Sequence, residues 1–483
     1  MNAAPQLTGR VVLPDDPGYG DAREAYNARV SRSPRAVVFC QDAGDVANAV
    51  RWATARGVEL RARSGRHCYE GFSVIDAGLV IDVSDLRSVR IDRERGVAVV
   101  GAGADLLTVY DALGQVGVTL PAGSCPTVGI AGLTLGGGFG LLSRALGLTC
   151  DSLLAVEMVT ADGEVIRADD KENQDLLWAC QGGGGGNFGV VTSFTFKTHH
   201  VTEVSIFRIS WPWAELPGVL EAWQAFAPFA DERLTSVLTL KAESAGGVSC
   251  VGQLLGTGEE LRRLIQPLLS VQAAAPSSVS PSSVLIETLP HLRAVGQFGG
   301  LGSDPERWTV HQHQEQVPFK NTSAYAYERF DEGAIATLAA ELSRAPSSRC
   351  LVQLDAYGGA VARVAPDATA FPHRRALWSL QYQAYWNAPA QEAESVAWVE
   401  RVRRSMLPHT RGAYINYIDA NVEDWLTAYY GPNVARLAAV KAKYDPREVF
   451  RFPRSIPRAP PGAAEAPAGG DRGEGAPDER APP

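Results

Sequence analysis

The chain lacks long hydrophobic runs, although 45% of its 483 residues are apolar. A helix that spans a bilayer needs about 20 consecutive apolar residues, so we expect no membrane partner. The first nine residues also lack the charged stretch followed by an apolar run that is typical of a signal peptide. These absences favour a cytoplasmic protein, and the apolar content is ample for a sizeable core.

Basic residues and paired cysteines are also scarce. The chain has 45 Lys and Arg against 54 Asp and Glu, and its net charge of −9 argues against nucleic acid as a partner. The seven cysteines are scattered and include no CxxC pair, which argues against a disulfide framework and a structural zinc site. We expect no metal, because His311 and His313 lie two apart without a third ligand in a suitable pattern. The sequence assigns no oligomeric state.

Helical and strand periodicities alternate in the first 200 residues. Apolar residues recur at helical spacing up to Gly57, and the runs 58–62 and 79–83 read as strands. The segments 153–160 and 164–168 predict a hairpin. This alternation indicates an α+β fold.

The pattern changes near residue 203. Strand-like runs such as 204–211 and 236–241 alternate with helical segments such as 259–269 and 332–345, which indicates a second domain. Residues 458–483 contain only Ala, Pro, Gly, Glu, Asp and Arg. Because that composition cannot bury a core, we predict a disordered tail.

Two glycine-rich turns each contain one residue that can bond to a ligand. His67 lies in RSGRHCYEG at 63–71, and Cys125 lies in GSCPTVG at 123–129. Glycines let the backbone approach a flat ligand closely and present N–H groups to it. Taken singly, each residue could equally be an ordinary packed side chain. Cys68 competes with Cys125, but on an extended backbone it would point away from the side of His67.

A GxGxxG pattern at Gly184, Gly186 and Gly189 resembles a dinucleotide-binding turn only formally. The β-branched and aromatic run at 190–196 predicts a strand after it, whereas a Rossmann turn leads into a helix. We therefore do not assign a Rossmann site here.

Together, these motifs resemble the covalently flavinylated oxidases of the berberine bridge enzyme family. The segments 63–72, CPTVGIAGLTLGGGFG at 125–140, QGGGGGNFGVV at 181–191 and YINYID at 414–419 fall in the family's order, and the similarity covers roughly 10–457. The resemblance implies an FAD-binding domain of the PCMH or vanillyl-alcohol-oxidase type, formed by residues 1–202 and a returning segment, 406–457. It also implies an inserted substrate domain, 203–405, built on an antiparallel sheet covered by helices.

The resemblance further implies FAD bonded through two side chains, His67 at the flavin 8α carbon and Cys125 at C6. Val128 lies where relatives control oxygen access, and valine there resembles the oxidases. Arg66 replaces a glycine of many relatives. The other cofactor-binding residues implied are Ser64, Gly65, Gly71, Gly123, Gly129, Gly132, Gly136, Gly137, Gly138, Gly140, Gly189, Val191, Tyr414 and Asn416.

Tyr417 lies where related oxidases place a catalytic tyrosine, which takes a hydroxyl proton as a hydride leaves the neighbouring carbon. A phenol has a pKa near 10, so a cation, the flavin or a strong hydrogen bond must lower it. Asp355 or Tyr357 could assist. In a straight strand, Tyr414 and Asn416 would lie on the opposite face to Tyr417, so bringing all three to one site needs a bend or bulge.

The implied substrate contacts are Gln381, Tyr385 and Tyr69. Ser379 stands where some relatives place a glutamate base, which argues against glutamate-initiated ring closure. The sequence thus predicts an FAD-dependent oxidase that transfers a hydride from a carbon bearing or adjacent to a hydroxyl of a sugar or secondary metabolite to FAD, with O2 giving H2O2. Two alternatives stay open: oxidative cyclisation of a natural product, and a flavin carrier without turnover.

Overall fold

Short strands and helices alternate through the first 200 residues of the structure, a computed structural model that describes residues 6–272, 280–301 and 316–459. The predicted tail from residue 460 onward and the His311/His313 pair lie outside these ranges. The elements of this part are β1 (Arg10–Val12), α1 (Tyr19–Arg23), β2 (Ala36–Phe39), α2 (Ala43–Arg56), β3 (Leu60–Arg63), β4 (Leu79–Asp82), β5 (Val89–Asp92), β6 (Val97–Gly101), α3 (Leu106–Gly114), β7 (Val118–Thr119), α4 (Ile130–Leu135), α5 (Ser143–Leu146), β8 (Leu153–Val159), β9 (Val165–Ala168), α6 (Gln174–Cys180), β10 (Val190–Lys197) and β11 (His199–His200).

These strands form two sheets and a two-stranded ribbon. In the first sheet, ordered β1-β2-β4-β3, β2 and β3 both run parallel to β4. The second sheet, β5-β6-β10-β8-β9, is antiparallel, and β7 pairs with β11. The helix that ends at Gly57 and the β8–β9 hairpin confirm the predicted patterns. Strand β10 directly follows Gly189, which confirms that this glycine turn does not open a helix.

From Glu203 onward, strands and helices alternate to form the second part of the chain. The elements are β12 (Glu203–Pro212), α7 (Leu216–Phe226), β13 (Leu234–Lys241), β14 (Gly247–Leu254), α8 (Gly258–Leu264), α9 (Gln266–Leu269), β15 (Ser283–Pro290), α10 (His291–Gly299), β16 (Phe319–Ala326), α11 (Glu332–Ser343), β17 (Cys350–Ala356), α12 (Ala360–Arg363), β18 (Trp378–Tyr385) and α13 (Glu392–Met406). The strands form one antiparallel sheet of seven, in the order β15-β12-β14-β13-β17-β18-β16. The helices α7, α11 and α13 pack on one face of the sheet around Trp223, Trp378 and Trp398.

The C-terminal segment returns to the first part of the chain. It contains α14 (Trp425–Tyr430) and α15 (Val434–Tyr444), and α15 packs against α6. The buried ammonium of Lys441 donates to the carbonyl oxygen of Asn187 at 2.7 Å and ties this return to the glycine-rich segment before β10. The mixture of a βαβ unit with antiparallel sheets confirms the α+β fold. The domain limits stay predictions, with β12 beginning at Glu203 and α13 ending at Met406.

A buried arginine joins the two sheet regions. The Arg144 guanidinium on α5 donates to the carbonyl oxygens of Leu234 at 2.8 Å, Pro228 at 2.7 Å and Ala230 at 2.6 Å, and also to that of Tyr357. Carbonyl oxygens thus satisfy a cation that is almost wholly removed from water. The contact fixes the end of β17 against the first part of the chain.

Within the described ranges, no helix is both long and apolar enough to cross a membrane.

Candidate active site

The two glycine-rich turns cross in backbone contact. A Cβ atom on Gly65 would lie 2.2 Å from the backbone nitrogen of Gly129, and one on Gly129 would lie 2.6 Å from that of Gly65. Real side chains do not tolerate such distances, so both positions require glycine. The crossing brings His67 and Cys125 to one cavity.

The hydroxyl of Thr127 lies between these two side chains. Its Oγ1 is 2.9 Å from Nε2 of His67 and 3.5 Å from Sγ of Cys125. Burial lowers the pKa of His67 to about 4, so the imidazole is neutral at physiological pH and one ring nitrogen keeps a lone pair. The ring of Tyr26 stacks on it, with centroids 3.8 Å apart. We did not predict either neighbour: Thr127 lies in the Cys125 motif, but Tyr26 is distant in sequence and gives no local signal.

We expected Cys68 to point away from His67, and it too contributes to the lining of this cavity. That expectation assumed an extended backbone. Instead, Arg66 adopts a φ of 65° and the chain turns, with the N–H of Gly71 donating to the carbonyl oxygen of Cys68 at 3.0 Å. The Cys68 thiol accepts the N–H of Phe72 at 3.3 Å, and burial raises its pKa.

The conformation of Arg66 explains why glycine suits this position. A φ of 65° lies in the left-handed region, which is strained for a residue with a side chain. The Arg66 guanidinium donates to the carbonyl oxygen of Asp21 at 2.8 Å, and the Arg66 carbonyl accepts the N–H of Tyr26 at 3.1 Å. These two hydrogen bonds hold the turn in this conformation.

The cavity has a volume of about 600 Å³, within the range of roughly 300–1,000 Å³ typical of ligand and cofactor sites. A Cβ atom on Gly132 would meet nothing within 4 Å, so the wall is open there to a flat group. This open, glycine-lined wall fits FAD. The predicted cofactor-binding residues that line the cavity are Ser64, Gly65, Arg66, His67, Gly123, Cys125, Val128, Gly129, Gly132, Gly140, Gly189, Val191, Tyr414 and Asn416.

Four other glycines predicted to bind the cofactor lie behind the wall. They are Gly71, Gly136, Gly137 and Gly138. A Cβ atom on Gly71 would lie 2.3 Å from Cγ1 of Val30, and one on Gly136 would lie 2.0 Å from Oδ1 of Asn416. The N–H of Gly138 donates to the hydroxyl of Tyr414 at 2.8 Å. These contacts show glycines that admit neighbouring protein groups rather than line the cavity.

The C-terminal segment bends, and this bend is the condition under which its three side chains can reach one site. Ile415–Tyr417 form a 3-10 turn, and Tyr414, Asn416 and Tyr417 all line the cavity. Asn416 Nδ2 donates to the carbonyl oxygen of Leu133 and to the hydroxyl of Tyr414, each at 2.9 Å.

Asp355 lines the cavity from β17 and is 2% exposed. Its carboxylate accepts hydrogen bonds from Gln353 Nε2 at 2.9 Å and from Ser379 Oγ at 3.0 Å. Burial raises the pKa of Asp355 to about 6. Burial and the charge of Asp355 raise the pKa of Tyr417 well above its ordinary value. The described side chains therefore oppose, rather than favour, ionisation of this phenol.

Tyr357 does not reach the cavity. Its hydroxyl lies 3.4 Å from that of Tyr325, and its ring stacks on Phe139 with centroids 5.0 Å apart. Of the two residues predicted to assist Tyr417, only Asp355 lines the cavity.

The face of the seven-stranded sheet that roofs the cavity is rich in amides. Tyr385 donates to Gln383 at 2.8 Å, Asn321 donates to Tyr385 at 3.3 Å, and Gln381 donates to the hydroxyl of Tyr69 at 2.8 Å. Among the described residues, Asn321 Oδ1 and Gln383 Nε2 are buried without a hydrogen-bond partner. Each such atom costs about 1–3 kcal/mol, which a ligand hydroxyl can offset. The alternation along β18 predicts that Gln383 shares a face with Gln381 and Tyr385. No pattern in the sequence indicated that Asn321 on β16 lies opposite Gln383.

Comparison with known families identifies two segments. Residues 34–169 match the FAD binding domain family, and residues 413–457 match the family described as berberine and berberine like. The first segment contains both glycine-rich turns, and the second contains the bend at Tyr417.

Similarity to individual proteins extends over nearly the whole chain. An FAD-linked oxidoreductase of Bacillus subtilis, YgaK, is 42% identical over 94% of this chain and 97% of its own. The aclacinomycin-N/aclacinomycin-A oxidase of Streptomyces galilaeus is 33% identical, covering 90% of this chain and 87% of its own. The glucooligosaccharide oxidase of Sarocladium strictum is 30% identical over 90% of both chains.

The structure of Physcomitrella patens BBE-like 1 superimposes with a TM-score of 0.87 at 33% identity, over 93% of this chain and 96% of the other. This similarity confirms the PCMH-type fold. With the two segment matches and a cavity that fits FAD, it shows that the chain belongs to the berberine bridge enzyme-like family and is an FAD-dependent oxidoreductase.

Proposed function

We propose that this oxidoreductase acts on a hydroxyl group of a sugar or secondary metabolite. Bound FAD would accept a hydride from the carbon that bears the hydroxyl, or from one adjacent to it, and dioxygen would reoxidise it to give hydrogen peroxide. The observation that carries this proposal is one cavity lined by His67, Cys125, Tyr417 and Asp355.

Tyr417 and Asp355 would handle the proton. For an alcohol, a hydride leaves with both electrons of the C–H bond, the hydroxyl loses its proton, and a carbonyl group forms. Because Tyr417 is a neutral phenol, its oxygen would receive that proton only as its own phenolic proton passes on to Asp355. Because the pKa of Asp355 is about 6, its carboxylate is ionised at neutral pH and yet basic enough to take up a proton in turn.

The amide-rich roof supports a substrate with more than one hydroxyl group. Asn321 Oδ1 can accept a hydrogen bond and Gln383 Nε2 can donate one, and a hydroxyl can serve either role. Gln381, Tyr385 and Tyr69 would contact the same substrate, since all three line the cavity. Among the relatives, a glucooligosaccharide oxidase and an aclacinomycin oxidase set the classes to test first.

We propose two covalent bonds to FAD, from His67 to the 8α carbon and from Cys125 to C6. The neutral imidazole and the position of both side chains beside Thr127 support this assignment. Each bond replaces one hydrogen of the side chain and one of the flavin, from the 8α methyl group for His67 and from C6 for Cys125, and dioxygen is the two-electron oxidant that balances each step. The role of Val128 in oxygen access, the cytoplasmic location and the lack of nucleic-acid or membrane partners stay predictions.

Oxidative cyclisation remains a second candidate, although Ser379 presents a hydroxyl, bonded to Asp355, where a glutamate base would be needed. The similarity to FAD-linked oxidoreductases argues against a flavin carrier without turnover.

Peroxide release, measured with cellobiose, chitobiose and a glycosylated anthracycline, tests the proposed oxidase, with catalase added as a control. We expect at least one compound to give peroxide and a product with a new carbonyl group by NMR. A product with a new ring would favour cyclisation instead. Oxidation that consumes no dioxygen would contradict the assignment of the acceptor.

A further inference from the structure

A buried ion-pair network joins all three parts of the chain beside the cavity. Lys320 lies on β16 with a side chain 2% exposed, and its Nζ donates to Glu70 Oε1 at 2.5 Å and to Asp419 Oδ1 at 2.6 Å. The second oxygen of Glu70 pairs with Arg29 at 2.9 Å. The two negative charges of the carboxylates are therefore balanced by two positive charges in this network.

The two carboxylates lie next to cavity tyrosines in the sequence. Glu70 directly follows Tyr69, and Asp419 lies two positions after Tyr417. The rings of Tyr69 and Tyr417 are stacked, with centroids 5.5 Å apart and 4° between their planes. The ammonium of Lys320 thus connects the segments that contain both rings to the substrate sheet.

A second, uncharged contact reinforces this junction. Asn27 is 1% exposed, and its Nδ2 donates to the carbonyl oxygens of Tyr69 at 2.8 Å and Phe319 at 3.0 Å. Its Oδ1 accepts the N–H of Phe319 at 3.1 Å. Phe319 immediately precedes Lys320, so both contacts act at the start of β16.

Stability alone does not account for such a network. Desolvation of buried charges offsets much of their attraction, and well-packed apolar residues often stabilise a fold equally well. Short, directional bonds to a common cation do, however, restrict where two loops can lie relative to each other. The network therefore serves to fix the positions of Tyr69 and Tyr417 relative to each other.

We propose that Lys320 is a positioning residue of the active site, which holds Tyr69 and Tyr417 in their parallel arrangement through Glu70 and Asp419. Its effect on catalysis rests on the proposed function, whereas its effect on the two loops does not.

Two measurements on the flavin-loaded Lys320→Met variant test this proposal. Hydrogen exchange should accelerate on the order of tenfold or more in peptides that cover 66–73 and 414–421, because both carboxylates lose their common partner. The limiting rate of flavin reduction by cellobiose should fall by about tenfold to a hundredfold, which is the scale for a misplaced reacting group. A fall in substrate affinity alone, at an unchanged limiting rate, would contradict the catalytic part.

Glu341→Gln is the matched control. Glu341 is a buried carboxylate of the substrate domain that accepts hydrogen bonds from Arg401 at 2.9 Å and from Ser405 at 3.1 Å, and it does not line the cavity. We expect wild-type exchange in the two tyrosine peptides and a wild-type rate of flavin reduction. An equal effect of both variants would mean that Lys320 acts only through general stability.

If Lys320→Met does not fold, the triple variant Glu70→Gln, Lys320→Met and Asp419→Asn replaces it, since it leaves only the partly exposed Arg29 charged. Wild-type exchange in both peptides of the folded variant overturns the proposal. Faster exchange supports the positioning role even if cellobiose fails to reduce wild-type flavin, and that second result counts against the proposed function on sugars instead.

Discussion

The hydroxyl of Thr127 and the imidazole of His67 share a hydrogen bond, with 2.9 Å between Oγ1 and Nε2. A hydrogen bond at one ring nitrogen determines the role of the other. Engagement of Nε2 therefore leaves Nδ1 as the nitrogen that would form the proposed bond to the flavin.

We expect Thr127→Val to slow the attachment of FAD to His67, because valine neither donates nor accepts a hydrogen bond. The measurement is the fraction of flavin still bound to His67 peptides after denaturation of freshly loaded protein. Thr134→Val is the control, since the buried Thr134 hydroxyl has no hydrogen-bond partner among the described residues. Equal attachment in Thr127→Val and the wild type would remove Thr127 from this step.

Either His67→Ala or Cys125→Ala alone should leave FAD attached through the remaining side chain. The double variant should release all flavin on acid precipitation. Absorbance of the pellet and the masses of proteolytic peptides check both statements. Complete release from each single variant would show that the assignment of two bonds is wrong.

Tyr417→Phe should slow flavin reduction by about 10²–10⁴-fold, the usual contribution of a positioned acid or base, while FAD stays bound. Stopped-flow absorbance with a substrate from the panel measures this rate. Tyr357→Phe is the control, because Tyr357 does not line the cavity. Unchanged reduction in Tyr417→Phe would transfer the role of base to Asp355.

Asp355 should set the acidic limb of the pH profile. Because its pKa is about 6 in the folded protein, the rate of flavin reduction should rise with pH through that value. Asp355→Asn should be slower and should lose this limb. A limb near pH 6 that persists in the variant would assign it to another group.

The same carboxyl should also make stability depend on pH. Folding raises the pKa of Asp355 from 3.8 to about 6. The contribution of this carboxyl to the free energy of unfolding is therefore fully present below pH 3.8 and is lost as the pH rises through about 6. The loss is on the order of 3 kcal/mol. Relative to the wild type, Asp355→Asn should therefore gain stability between pH 4 and pH 7. Denaturant unfolding across this range measures the gain, and a constant difference would contradict it.

Arg66→Gly should stabilise the protein by about 0.5–1 kcal/mol, because the φ of 65° strains any residue with a side chain. Ala77→Gly, at a φ of 56°, provides a comparison outside the cavity. Thermal unfolding measures both. A loss of stability confined to Arg66→Gly would show that its contact with Asp21 outweighs the strain.

Local pattern predicted much of the scaffold and part of the site. Helical spacing up to Gly57 and alternation along β18 depend on neighbours in the sequence, and both are confirmed. The bend at Ile415–Tyr417 was only one of the possibilities, because it depends on contacts between Asn416 and the distant Leu133.

The missed contacts share a physical cause. The partners near the site lie far away in the chain from Tyr26, Asn27 and Lys320, so no local periodicity predicts these contacts. Position 136 requires glycine because the side chain of Asn416, from the C-terminal segment, fills the space beside it. Only the assembled chain distinguishes such a glycine from one that faces a ligand.

The crossing of Gly65 and Gly129 makes the two turns a single mechanical unit. Any methyl group at either position would wedge the turns apart and separate the imidazole from the thiol. Grafting one turn into another scaffold would therefore transfer neither anchor in working geometry; an engineer would have to transplant both together.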